Sequence, residues 1–381
     1  MEITELRNQI DQIDAQLVEL FKKRMDVAAN VAEYKRENNM KVLDASRERA
    51  LLQKVSELSG EEFEDYTRTL YSTILDLSRS YQHKRLGTGS ELSAIIDTAQ
   101  TNTPKIFPER ATVACQGVEG AYSQIATERL FKAPAIMFFS SFESVFSAIE
   151  KGLCKYGVLP IENSTAGSVK QVYDLMVSRK FKIVRSVRIK IDHNLLANNG
   201  AKLSDIKEIF SHEQAINQCS DFLASLGEGV KITRVENTAA AARMVAESGR
   251  SDVASISSRS CASQYGLSVV SPAIQNNGNN HTRFICISNE LEIYPGADRT
   301  SLMLVTPHRP GALYKILSRF NALGINLLKL ESRPLPDRDF EFMFYFDIEA
   351  SVYSSKLPQL LAELEQECEE FNYLGSYSEV V

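Results

Sequence analysis

A threonine hydroxyl and an arginine guanidinium stand side by side in His281-Thr282-Arg283-Phe284, between the polar turn Asn276-Asn277-Gly278-Asn279-Asn280 and the apolar run Ile285-Cys286-Ile287. At the mouth of a strand such a pair could hold a small carboxylate-bearing substrate and pass it a proton. Thr-Arg at a strand edge is more often an ordinary surface feature, so the stretch must be weighed with the rest of the chain. A second charged set lies near the N-terminus. Apolar residues at Leu6, Ile10, Ile13, Leu17 and Leu20 alternate spacings of four and three, the stripe of a long helix packed against other helices. That stripe meets Arg24, resumes at Val27 and Val31, and reaches Tyr34-Lys35. Unpaired buried cations are costly, so carboxylates of the fold or an anionic ligand must meet them. Arg24 and Lys35 fall within about 20° on one helix face and roughly 16 Å apart along it, which leaves room for a small dianion. Arg7 lies roughly 100° further around the same helix and suits a pocket in a partner chain.

The elements that position these groups change character along the chain. After the polar break Glu37-Asn38-Asn39, a second helix is predicted with Asp44 as its cap, running through Leu51, Leu52, Val55 and Leu58 to Ser59-Gly60. A third carries Phe63, Tyr66, Leu70, Ile74 and Leu77, with Ser78 and Gln82 one helical step apart on a neighbouring face. Such helices have long apolar seams and too little mass for a closed core, which reads as half of an intertwined helical dimer. A plain dimerisation bundle with solvated charges would have the same periodicity. From His83 to about Arg110 the chain is polar, with Thr101-Asn102-Thr103-Pro104 and Phe107-Pro108, and reads as a tether with one short helix at Leu92 to Ile96.

Short β-type runs then alternate with helices: Thr112 to Cys115, Ile136 to Phe139, Gly157 to Ile161, Ile183 to Ile191, Ile206 to Phe210, Lys231 to Val235 and Val253 to Ile256. This is α/β, read as two lobes around a cleft. Four polar caps follow these strands: the glycine turn Gly117 to Ser123, Glu162-Asn163-Ser164-Thr165-Ala166-Gly167, Ser211-His212-Glu213-Gln214-Ala215 with Gln218, and Asn237-Thr238. Each alone could be capping chemistry; together they point to a shared cleft. The glycine turn is not a dinucleotide motif, because it lacks GxGxxG. Beyond a second linker, Ser288 to Arg299, the predicted order is strand (Ser301 to Thr306), helix (Ala312 to Leu323), strand (Ile325 to Glu331), strand (Phe340 to Ile348), helix (Lys356 to Gln366), strand (Asn372 to Tyr377).

Composition limits the function classes. With 381 residues, 44% hydrophobic and 24% charged, the chain is a globular protein of two or three domains. A net charge of -6 argues against nucleic acid or anionic membrane as partner. No run reaches a membrane span, and the acidic Met1-Glu2-Ile3-Thr4-Glu5 lacks a signal core, so a cytoplasmic protein is expected. Six scattered cysteines without a CxxC pair suit reduced thiols, and the five histidines show no ligand spacing. No metal or organic cofactor is implied.

Arg7, Arg24, Lys35, Asp44, Arg47, Glu48, Ser78 and Gln82, in this order and spacing, resemble the all-helical dimeric chorismate mutases over about residues 1–85. The resemblance implies that Arg24, Arg47 and a partner's Arg7 face the two carboxylates of chorismate, with Ser78 assisting. Lys35 and Gln82 would hydrogen-bond the ether oxygen, and Glu48 with the Asp44 region would hold the ring hydroxyl. A Claisen rearrangement needs no nucleophile or proton transfer, only the reactive conformer held and donors at the oxygen that gains charge. Residues 111–288, after a linker at 86–110, resemble prephenate dehydratase, whose fold is two-lobed and similar to periplasmic binding domains. That likeness implies Thr282 as the key catalytic residue, Asn163, Ser164, Ser211 and Gln218 lining the site, and Arg283 on a substrate carboxylate. Val118, Ala121 and Glu213 depart from the family's usual residues.

Residues 299–381 resemble the ferredoxin-like ACT regulatory domain. There, Gly311-Ala312-Leu313 and Glu331-Ser332-Arg333-Pro334 would help form a phenylalanine site across a dimer interface. A structural module of the same βαββαβ order is the competing reading. The chain is thus expected to convert chorismate through prephenate to phenylpyruvate under L-phenylalanine feedback, as a homodimer or higher homo-oligomer. The alternatives are a non-catalytic, amino-acid-responsive binding protein, or a mutase whose dehydratase domain is inactive.

Overall fold

The computed structural model describes residues 2–38, 40, 42–86, 91–335, 338, 341–354 and 356–381. Asn39 of the expected polar break, positions 87–90 of the expected tether and the expected strand start at Phe340 lie outside the described residues. The chain divides into two compact units, Met1–Ala94 with Gln359–Gln366, and Ile95–Pro358 with Glu367–Val381. Among the described residues no helix is long and apolar enough to cross a membrane.

The first unit is built on α1 (Ile3–Glu37) and α2 (Ala45–Leu86). Ala28, Ala29 and Ala32 are buried on α1, and Val55 and Leu75 on α2. The two helices predicted on either side of Ser59-Gly60 are continuous except at Gly60, whose φ of 70° and ψ of 167° break the helix there. The apolar stripe of α1 is not covered within one chain: Ile10, Ile13, Leu17 and Leu20 are 56%, 55%, 54% and 62% exposed. The predicted short helix of the tether is α3 (Glu91–Asn102), longer than expected.

The second unit opens with β1 (Thr112–Gln116), α4 (Tyr122–Leu130), β2 (Ala135–Phe139), α5 (Phe142–Glu150), β3 (Tyr156–Asn163), β4 (Gly167–Ser168), α6 (Lys170–Ser178) and β5 (Lys182–Lys190). The chain then crosses to a second lobe formed by β6 (Asn194–Ala197), β7 (Glu208–Ser211), α7 (Glu213–Gln218), α8 (Ser220–Ser225), β8 (Lys231–Arg234), α9 (Thr238–Ser248), β9 (Val253–Ser257), α10 (Arg259–Tyr265) and β10 (Ser268–Ser271). It returns as β11 (His281–Ser288), which inserts antiparallel between β3 and β5. The two crossings are clamped together: the Ile274 amide donates to the His193 carbonyl at 2.9 Å, and the Ile191 amide to the Asn280 carbonyl at 2.8 Å. The C-terminal module follows as β12 (Arg299–Val305), α11 (Ala312–Ala322), β13 (Asn326–Pro334), β14 (Phe342–Glu349), α12 (Lys356–Glu367) and β15 (Glu370–Tyr377), and β16 (Glu379–Val380) ends the chain. The sheets run β16-β5-β11-β3-β1-β2 with β4 on β3, then β10-β6-β9-β7-β8, then β13-β14-β12-β15.

Short β6 and β10 escaped the sequence reading, because four-residue strands leave little periodicity to read. Both expected linkers are partly core. Phe107 stacks against Phe131 and Tyr294, with ring centroids 4.9 Å apart in each case. Tyr294 donates to buried Glu292, which also accepts from the Tyr156 phenol at 2.7 Å. Apolar side chains within nominally polar segments, Phe107 and Tyr294, carry this packing. The middle and C-terminal sheets share one hydrophobic core, with Leu159, Ile161, Tyr173 and Ile285 on one side and Met303, Val305 and Tyr345 on the other. β16 extends that union by pairing parallel with β5.

Gly375 lets β15 approach β5 closely. Its φ is +140°, and a Cβ there would stand 2.4 Å from the Ile183 carbonyl oxygen, a backbone atom that cannot swing aside. Gly375→Ala is expected to cost about 1–3 kcal/mol. Calorimetry should show a lowered first thermal transition; an unchanged profile would mean that this close approach contributes nothing to stability.

Candidate functional site

In the helical unit, Arg24, Lys35, Asp44, Arg47, Glu48, Ser78 and Gln82 all line one cavity of about 300 Å³. α1 supplies Arg24 and Lys35 about three turns apart on one face, and α2 with its preceding residue Asp44 supplies the rest from its two ends. The wall between them is apolar: Val27, Val31, Leu51 and Leu75. The Asp44 carboxylate accepts from the Arg47 amide at 3.0 Å, which starts α2, and that bond holds its pKa below the ordinary value. Among the described residues Arg24 Nη1 and Gln82 Oε1 are buried without a hydrogen-bond partner, an arrangement that suits a polar ligand. Arg7 is exposed on α1 and is absent from this wall, in line with a role toward another copy. Arg79 was missed by sequence reading. It lines the cavity and pairs with Glu48 and Asp76, so it holds Glu48 beside the ligand space. Its position next to Ser78 on the helix was the available signal.

In the second unit a cavity of about 490 Å³ opens between the lobes, walled by Thr165, Ala166, His212, Glu213, Gln214, Asn217, Gln218, Gln275, Asn276, Asn277 and Asn280. Two of the four polar caps, those after β3 and β7, therefore meet at a cleft. The other two do not line it. The glycine turn is held against α10 by Tyr265, whose phenol donates to the Glu119 carbonyl at 2.6 Å, and Asn237 caps α9 through the Ala240 amide at 2.8 Å. Glu213 faces the cleft with its carboxylate 3.6 Å from Arg234.

Thr282 sits behind this wall and is 8% exposed. Its strand partner on β3 is Asn163, whose Nδ2 donates to Thr282 Oγ1 at 2.9 Å and to Asn280 Oδ1 at 2.8 Å. Gln218 closes the chain of amides: its Oε1 accepts from Asn280 Nδ2 at 3.1 Å and lies 2.9 Å from His193 Nε2. His193, Asn280 and Gln275 had no assigned role from sequence. Asn280 was visible as the last residue of the polar turn, whereas nothing local marked His193.

Three expected placements need correction. Arg283 does not join Thr282. Successive residues of a strand face opposite ways, so Arg283 turns to the reverse side of β11 and pairs with Asp347 of β14. Ser211 is fully buried and donates to the Ile256 carbonyl at 2.8 Å, so it supports the second lobe from inside rather than lining the cleft. Ser164 lies in another recess, where its Oγ donates to the Asn279 carbonyl at 3.1 Å and accepts the His281 amide at 2.9 Å; it braces the asparagine turn.

The reverse face of the Thr282 strands is a buried ionic patch shared with the C-terminal module. Asp347 also accepts from Ser301, from the Tyr345 phenol at 2.6 Å and from the Tyr377 phenol at 3.2 Å. Burial pushes both phenols well above their ordinary pKa, so they remain donors. Burial opposes the charge on Arg283, but Asp347 outweighs it and holds the guanidinium pKa above its usual value. Glu162, next to Asn163, accepts from Lys329 of β13 at 2.7 Å. Further along β13, Glu331 accepts from Ser168 at 2.7 Å, and Arg333 grips Asp174 with two bonds of 2.8 Å. Ser332 and Pro334 point outward, and Gly311 starts α11 with Ala312 and Leu313 in its first turn. Asp347→Asn keeps the shape but leaves buried Arg283 with Glu162, 3.8 Å away, as its remaining anion. A loss of about 2–3 kcal/mol is expected, measured as an earlier thermal transition. An unshifted transition would mean that Glu162, not Asp347, satisfies Arg283.

Family descriptions match both regions: chorismate mutase type II over residues 6–83 and prephenate dehydratase over residues 113–292. The chain is 31% identical over 382 residues to the bifunctional chorismate mutase/prephenate dehydratase of Escherichia coli strain K12, covering 98% of this chain and 95% of that protein. The chain belongs to this bifunctional family. It is therefore an isomerase and a lyase of phenylalanine biosynthesis, which rearranges chorismate to prephenate and then dehydrates and decarboxylates prephenate to phenylpyruvate. The non-catalytic reading is set aside. The chain is also 37% identical over 285 residues to arogenate dehydratase 2 of Petunia hybrida, covering 70% of this chain and 72% of that protein. Among solved structures, prephenate dehydratase of Arthrobacter aurescens in complex with L-Phe matches with a TM-score of 0.64 at 28% identity, over 70% of this chain and 90% of that one. The fold of the middle region is accordingly the two-lobed α/β fold expected for it.

Proposed function

We propose that the two cavities are the two active sites, each working with the residues gathered around it. The observation that carries the mutase assignment is the convergence of Arg24, Lys35, Asp44, Arg47, Glu48, Ser78 and Gln82 on one wall. Arg24 and Arg47 take the carboxylates of chorismate, and Ser78 assists. Lys35 and Gln82 donate to the ether oxygen as its bond to carbon breaks, so they favour the transition state over the ground state. Glu48, held by Arg79, takes the ring hydroxyl together with the Asp44 turn. Arg7 completes a partner's site. The exposed apolar stripe of α1 supports that homodimer, because surface of this kind needs a second copy to cover it.

In the dehydratase cleft, Thr282 relays a proton to the leaving hydroxyl, giving its own and taking one up from solvent, so that water leaves while the carboxylate departs as carbon dioxide, and aromatisation drives the step. Gln218 faces the substrate, and Asn163 orients Thr282. No side chain needs to act as nucleophile. Residues 1–85 carry the mutase, 111–288 the dehydratase, and 299–381 an ACT module that binds L-phenylalanine near Gly311-Ala312-Leu313 and Ser332. The contacts of Glu331 with β4, Arg333 with α6 and Asp347 with β11 give that module a route to the site. Phenylalanine inhibits if it binds a less active arrangement more tightly than the active one. The six free thiols suit a reducing, cytoplasmic compartment.

Purified protein given chorismate, and separately prephenate, with and without phenylalanine, tests the whole reading. Chorismate loss with phenylpyruvate appearing, slowed by phenylalanine, is the expected result. Accumulating prephenate would remove the dehydratase assignment, and insensitivity to phenylalanine would remove the regulatory one.

A further inference from the structure

The hydrogen bonds behind the dehydratase cleft have only one consistent direction, and it begins at backbone. Asn163 Oδ1 accepts the Thr165 and Ala166 amides at 3.0 and 2.8 Å. Backbone amides can only donate, so the oxygen of Asn163 is fixed there and its NH2 must point the other way. That NH2 donates to Thr282 Oγ1 and Asn280 Oδ1. Asn280 thus has its oxygen committed and gives its own NH2 to Gln218 Oε1. Gln218 then meets His193 with an oxygen, so His193 Nε2 has to carry a proton. The other ring nitrogen, Nδ1, is buried without a hydrogen-bond partner, and His193 is 3% exposed. Burial lowers its pKa against the opposing bond from Gln218, which favours the neutral ring.

We infer that His193 is a positioning residue of the dehydratase, a neutral Nε2–H donor that locks the Gln218 amide so that its NH2, with the Thr282 hydroxyl at the far end of the relay, faces the substrate. Two anchors hold the relay. The backbone of the β3 loop sets Asn163, and through it leaves the Thr282 proton free to point into the cleft. His193 sets Gln218 from the opposite end. His193 can do this because it lies on the crossing between the lobes, where the Ile274 amide donates to its carbonyl and its own amide donates to Gln275 Oε1 at 3.0 Å. Its ring meets Tyr122 edge-on at 6.3 Å between centroids, and the neighbouring charged group is Asp192, which accepts from Gln275 Nε2 at 3.1 Å. The relay therefore ties one proton donor on the first lobe to one amide on the second through the segment that joins them.

This inference rests on Thr282 being the proton donor, and its test separates the two. Nitrogen NMR of the histidine-labelled full chain should find His193 neutral and protonated at Nε2. Asn280→Asp puts an acceptor where Gln218 now finds a donor. Gln218 should then turn its NH2 inward, and His193, a residue away from the change, should switch to the Nδ1–H form. His193→Leu should lower dehydratase kcat at least about tenfold with KM nearly constant, and His193→Gln, which can still donate at the Nε2 position, should recover most of it. Calorimetry reports the fold of the second unit in each variant. A parent His193 protonated at Nδ1, a tautomer unmoved by Asn280→Asp, or a His193→Gln variant as poor as His193→Leu would overturn the relay. Full dehydratase turnover in Thr282→Ala would instead overturn the donor role of Thr282, whatever the tautomer.

Discussion

Lys35→Ala should lower chorismate turnover about 10³-fold while prephenate turnover stays unchanged. The rearrangement has no acid, base or nucleophile to lose, so its acceleration rests on conformer selection and on charge placed at the breaking ether bond. Lys35 is one of two cations, with Arg24, on the α1 wall of the cavity, and Gln82 lies on the α2 wall. Removing it leaves Gln82 as a neutral donor in a recess whose apolar walls raise the worth of a charge. Lys35→Arg should not restore the rate, because a planar fork cannot replace a compact ammonium at one oxygen. KM should move less than kcat, since Arg24 and Arg47 still take the carboxylates. Stopped assays with each substrate read the two activities separately. If both fell together in a folded protein, the two-site arrangement would be wrong.

Thr282→Ala should do the reverse, with dehydratase kcat down about 10²–10⁴-fold and the mutase intact. The hydroxyl accepts from Asn163 at 2.9 Å, which leaves its own proton for the substrate. Alanine removes that donor and leaves the Asn163 NH2, buried at 7% exposure, with Asn280 Oδ1 and a longer bond of 3.3 Å to the His281 carbonyl. Thr282→Ser keeps both bonds and should retain most of the rate, because only a methyl group is lost. Thr282→Val keeps the volume without the hydroxyl and should match alanine. Activity in the valine variant equal to that of the parent would exclude the hydroxyl from the chemistry.

The helical unit was legible because its chemistry is local. Arg24 and Lys35 share a helix face by arithmetic, and Ser78 and Gln82 share another one turn apart, so periodicity alone aligns each pair. The strands of the middle and C-terminal regions were legible for the same reason wherever apolar runs were long enough. Arg283 marks the limit. Sequence adjacency to Thr282 suggested a shared task, yet the pleat of β11 sends the two side chains to opposite faces, one to Asn163 behind the cleft wall and one to Asp347, 64 residues away. His193 marks it again, since its partner Gln218 is 25 residues distant and only the crossing of the lobes brings them together.

What the sequence by itself determined is the order of most elements, the two chemistries and which helical residues share a face, since these depend on patterns along one chain segment. What only the tertiary structure decided is which polar residues look into the dehydratase cleft and which brace it. It also decided that both expected linkers are partly core and that the C-terminal sheet is fused to the catalytic strands through Asp347, Lys329 and Gly375. The physical reason is common to all of these. Strand faces alternate every residue, and hydrogen bonds between distant segments take their direction from partners that sequence distance does not reveal.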